Sequence, residues 1–119
     1  MDGAQARLAG AVLVGLAVAL GAFGAHALRG RLGEGVERWR TAVQYQMVHG
    51  LGLVAVGMWP APAPASARLA AVAFVLGTVL FSGSLYALSL GRVRWLGPVT
   101  PLGGLCLVAG WALLAFAAA

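Results

Sequence analysis

Residues 8–28 read LAGAVLVGLAVALGAFGAHAL, and His26 is the only polar side chain among them. A hydrocarbon core of roughly 30 Å takes about 20 helical residues to cross. This stretch is therefore one membrane span, and working outward from it gives three more. They run over about 41–59, 67–90 and 101–118, and the three acids, Asp2, Glu34 and Glu37, all fall outside them. Continuous apolarity argues for helices and against the alternating pattern of a transmembrane barrel. The sequence predicts an all-α membrane protein: a four-helix transmembrane bundle with short loops. Residues 1–119 form one integral membrane domain, and four crossings leave no room for a soluble one.

Composition agrees. Hydrophobic residues make up 61% of the chain and charged ones 9%, far from the proportions of a soluble domain. The net charge of +5 is carried by arginine alone. In a soluble protein that balance would suggest nucleic acid. Here the arginines gather at span ends, so the expected partner is the lipid bilayer and no nucleic acid is expected. Cys106 is the single cysteine and has no intrachain partner. Ala25-His26-Ala27 has the small-x-small form of a signal cleavage site. The apolar stretch is too long for a signal peptide, and its stronger positive charge follows it, so a retained span is expected.

The connectors set the orientation. Arg29, Arg31, Arg38, Arg40, Arg92 and Arg94 lie in the first and third, against Arg7 and Arg68 on the opposite side. This asymmetry places connectors 29–40 and 91–97 in the cytoplasm and both termini outside. Gly33 and Gly35 weaken helix before about Val36. Pro60, Pro62 and Pro64 break it after Trp59. Ser66 is the expected N-cap of the third helix. Thr100 is the expected cap of the fourth, with Pro101 at its first position. Ala11-Gly15-Ala19 and Ala17-Gly21-Ala25 repeat small residues every fourth position, as close helix contacts require. Trp39, Trp59 and Trp95 fall at the expected interfaces; Trp111 lies inside a span.

Polar side chains are few and unevenly placed. The second span opens with Thr41, Gln44, Tyr45, Gln46 and His49, of which Thr41, Tyr45 and His49 share one helical face. Ser82, Tyr86 and Ser89 form a stripe in the third. Counted at 1.5 Å per residue from the flanking arginines, His49 lies roughly 13 Å deep, Ser82 about 15 Å, Tyr86 about 9 Å and His26 about 5 Å, all from one side. The expectation is a polar pocket in the cytoplasmic half, with His26, Tyr45, Gln46, His49, Ser82 and Tyr86 as ligand-binding candidates. The competing reading is that these groups bond one another across helices, at about 0.6 kcal/mol per contact.

The same inventory excludes much chemistry. A serine–histidine nucleophile would have no orienting acid inside the spans, so no catalytic residue is assigned and enzyme activity is not expected. Two histidines and one distant cysteine are too few ligands for zinc, and the histidine depths do not match for haem. No metal and no cofactor are expected. With no intramembrane acid, the commonest group for proton or cation coupling is missing.

Several motifs carry a resemblance. They are Gly21-Ala-Phe-Gly-Ala-His26-Ala-Leu28, Trp39 with Thr41-Ala-Val-Gln-Tyr45-Gln46, and His49. Leu80-Phe-Ser82-Gly-Ser84-Leu-Tyr86, Arg94-Trp95-Leu-Gly97, Thr100-Pro101-Leu-Gly103-Gly104 and Gly110-Trp111 follow. In these the chain resembles the bacterial family catalogued as domain of unknown function 423, over nearly its whole length. Val48 stands where tyrosine is expected, and Gly50 where alanine is usual. The resemblance implies a four-span protein of a bacterial inner (plasma) membrane and brings no established activity. The expected function is that of a binding, accessory or assembly component, as a homo-oligomer or within a larger membrane complex. The alternative is a small transporter or channel using histidine in place of a carboxylate.

Overall fold

The computed structural model describes residues 1–26, 30–91 and 93–119. It contains four α-helices: α1 (Gly3–His26), α2 (Val36–Gly57), α3 (Ala65–Ser89) and α4 (Val99–Ala118). Short 3-10 turns, Gly33–Gly35 and Arg94–Leu96, precede α2 and α4. Ala27, Leu28 and Arg29, where the first span was expected to end, and Arg92 lie outside the described residues.

Local chemistry sets the helix ends. The Asp2 carboxylate accepts from the Gln5 amide at 2.8 Å while the Gln5 side chain accepts from the Asp2 amide at 3.0 Å. This reciprocal cap starts α1 at Gly3, a full turn before the apolar run. α2 begins at Val36, directly after the turn that Gly33 opens at φ +50°. At its other end, Arg7 Nη1 donates to the Gly57 carbonyl at 2.6 Å, giving a terminal acceptor a charged donor.

Two expected caps are corrected. Ser66 lies inside α3, whose N-cap is Pro64 in an extended conformation; the Pro64 carbonyl accepts from Ala67 and Arg68. Thr100 lies inside α4, which starts at Val99 after Pro98. Pro101 is still within the first turn, where its missing N–H removes no helix bond.

Successive helices pack side by side in chain order, α1 on α2, α2 on α3 and α3 on α4. α1 and α4 share no packed seam, so the bundle is an open row measuring 48 × 27 × 18 Å. The seam of α1 is Ala6, Gly10, Ala17 and Gly24. A β-carbon on Gly10 would run into the Gly50 carbonyl and Val54, so the two backbones touch there. The Ala11-Gly15-Ala19 stripe instead faces outward. An alanine-rich helix that is apolar all round gives its sequence no way to mark the inward face.

The core is built on Leu53, Val56, Ala67, Ala71, Phe74 and Leu107. α1, α3 and the Arg94–Ala118 segment are each long and apolar enough to cross a membrane. α2 is more polar; Gln46 and His49 are buried, while Glu37, Arg38, Arg40, Gln44 and Tyr45 are exposed.

Candidate functional site

The polar groups gather at the end of the row that carries the first and third connectors, and α2 organises them. Gln46, only 4% exposed, donates from Nε2 to the Leu13 carbonyl of α1 at 2.9 Å. Its Oε1 accepts from the Tyr86 hydroxyl of α3 at 2.7 Å. One amide thus ties three helices. Ser82 of α3 donates to the Ala42 carbonyl of α2 at 2.7 Å. The hydroxyls of Ser84 and Thr100 join α3 to α4. Ser89 bonds its own helix at Leu85.

Trp39 belongs to this set, although its position suggested an interfacial anchor. It is buried, its indole N–H donates to the Leu20 carbonyl at 2.9 Å, and its ring meets Tyr86 edge-on. Gly24 makes room for it, since any β-carbon there would overlap the indole.

His49 occupies a second cluster, with Tyr45, Phe74 and Trp111. Its Nδ1 lies 2.7 Å from the Tyr45 carbonyl, and its Nε2 lies 3.0 Å from the Trp111 indole nitrogen. A carbonyl can only accept and an indole N–H can only donate. The ring is therefore the neutral Nδ1–H tautomer with both nitrogens engaged. Tyr45 stacks on the same imidazole and lies against Phe81. A groove of about 700 Å³ opens here between α2 and α4, walled by Tyr45, Val48, Leu51, Gly104, Val108 and Trp111.

The six sequence candidates consequently do not share one pocket. Gln46, Tyr86 and Ser82 are spent inside the bundle, Tyr45 and His49 wall the lateral α2–α4 groove, and exposed His26 borders a different groove between α1 and α2. Trp39 and Trp111, which contact Tyr86 and His49, were missed as partners of these side chains. The signal for Trp111 was its depth, because an indole N–H buried in a span needs an acceptor.

Among the described residues no three His, Cys, Asp or Glu side chains come together in a group able to hold a metal ion. One buried polar atom there lacks a partner, Thr78 Oγ1.

Fold and site together define a small α-helical integral membrane protein whose buried polar groups are almost all bonded within the chain. The family described as "Protein of unknown function (DUF423)" matches residues 20–104, and the chain belongs to that family. It is 45% identical over 106 residues to a UPF0382 membrane protein of Staphylococcus haemolyticus, covering 88% of this chain and 87% of the relative. It is 41% identical over 112 residues to the UPF0382 membrane protein YwdK of Bacillus subtilis, covering 92% and 91%. It is also 42% identical over 105 residues to the UPF0382 inner membrane protein YgdD of Escherichia coli, covering 82% and 76%. No solved structure matches the chain.

Proposed function

We propose that this protein is a non-catalytic binding or assembly component of the bacterial plasma membrane, and that its α2–α4 groove receives a transmembrane helix of a partner subunit. The observation that carries this reading is the division of polar groups. The interior set is closed upon itself, whereas the groove presents the exposed Tyr45 ring and the Gln44 amide beside an otherwise apolar wall. Uncharged hydrogen-bonding groups set among small and apolar residues are what helices in a bilayer use to recognise one another. The arginine-rich connectors face the cytoplasm, which puts Tyr45 in the inner half of the membrane.

A histidine-coupled transporter is the alternative, and the bonding of His49 weighs against it. A second proton on the imidazole would set Nε2–H against the Trp111 N–H, two donors facing each other.

Purification in gentle detergent, followed by mass spectrometry of whatever remains bound, tests the reading. A stoichiometric protein partner or second copy that is lost on Val48→Trp, which fills the groove, supports it. Recovery unaffected by Val48→Trp, or a lone lipid in the groove, would overturn it. Reporter fusions at either terminus test the orientation, which requires both ends to report an extracytoplasmic position.

A further inference from the structure

The groove between the end of α1 and the start of α2 has a volume of about 520 Å³ and combines a cation with an apolar floor. Val36, Val43 and the indole of Trp39 supply an apolar floor, and Arg40, His26 and Gln44 border it. The floor is fixed, because the Trp39 N–H is bonded to the Leu20 carbonyl. Arg40 is the last charged residue before α2 becomes apolar, so its guanidinium sits where the chain enters the bilayer. It touches Glu37 at 3.2 Å through one nitrogen, with both side chains largely exposed. Such a pair is worth little and leaves the other guanidinium donors available.

We infer that this groove binds the phosphate headgroup of an anionic phospholipid. Arg40 forks onto the phosphate, His26 and Gln44 offer hydrogen bonds beside it, and an acyl chain lies along Val36 and Val43. A guest must match a cation and an apolar wall at once, at the depth of the headgroups. A phospholipid does so, whereas free phosphate satisfies only the first requirement. The site shares Gln44 alone with the α2–α4 groove and stands independently of the partner helix proposed there.

The test uses the full chain in detergent, with phosphatidylglycerol or phosphatidylcholine added and bound lipid read by native mass spectrometry. The expected result is about fivefold greater retention of phosphatidylglycerol, the share one well-placed basic residue contributes at a membrane surface. Arg40→Gln brings the two lipids within about twofold of each other. Arg38→Gln, in the same connector but outside the groove, leaves the preference intact. Arg40→Lys keeps the charge without the fork and falls between them. Equal losses from Arg38→Gln and Arg40→Gln would mean general surface charge and would overturn the proposal. So would displacement of the lipid by inorganic phosphate, full preference in Arg40→Lys, or no preference in the wild type.

Discussion

The indole N–H of Trp111 meets Nε2 of His49 at 3.0 Å, joining α4 to α2 across a space where their backbones do not pack together. The bond does two things at once. It gives a tryptophan deep in a span the acceptor it needs, and it fixes the tautomer of a histidine whose other nitrogen is held by Tyr45. Phe74 of α3 packs against both rings, with its centroid 5.5 Å from that of His49 and 4.8 Å from that of Trp111.

Replacing Trp111 by phenylalanine retains most of the ring and removes the donor. The loss is expected to be about 0.6 kcal/mol and no more than about 1.7, the range for single interhelical bonds in membranes. A double-mutant cycle of Trp111→Phe with His49→Phe, read by unfolding in a denaturing detergent, should return a coupling of that size. Strict additivity would mean that the bond contributes nothing.

Gln46 is the more consequential position because it serves two helices. Gln46→Leu keeps the volume but strands the Tyr86 hydroxyl, while Tyr86→Phe removes only one of the two bonds. The expected order of destabilisation is Gln46→Leu above Tyr86→Phe, and the double variant should cost less than the sum because the two share a bond. Thermal unfolding followed by circular dichroism measures all three.

Much of this arrangement was legible in the sequence, and the remainder fails for a definable reason. Four helices, three of them long and apolar enough to cross a membrane, and the polar opening of α2 follow from composition and spacing. What does not follow is the partner of each group. Leu13, Leu20 and Ala42 act through main-chain carbonyls, which no side-chain pattern reveals. The single pocket expected for His26, Tyr45, Gln46, His49, Ser82 and Tyr86 divides because helical rise gives depth, whereas the direction around each helix is set by packing. The Ala11-Gly15-Ala19 stripe misleads in the same way, since it faces out while Gly10 and Ala17 line the α1–α2 seam.

That last contrast is a prediction. A β-carbon at Gly10 meets the backbone of α2, whereas one at Gly15 meets nothing within 4 Å. Gly10→Ala should destabilise by about 1–3 kcal/mol, the usual cost of overpacking. Gly15→Ala should be neutral or slightly stabilising. Equal effects at the two sites would place the α1–α2 seam elsewhere on the helix.

Thr100 and Ser89 separate bonds between helices from bonds within one. The Thr100 hydroxyl pairs with Ser84 across the α3–α4 seam, and Ser89 returns its hydroxyl to Leu85 one turn back. Thr100→Val preserves shape and leaves Ser84 with only its bond to Phe81, so it should lower the unfolding midpoint. Ser89→Ala removes a bond that its own helix does not need and should leave the midpoint nearly unchanged. If Ser89→Ala proved the more damaging of the two, α3 and α4 would be held by packing alone, and Thr100 would be free to serve another partner.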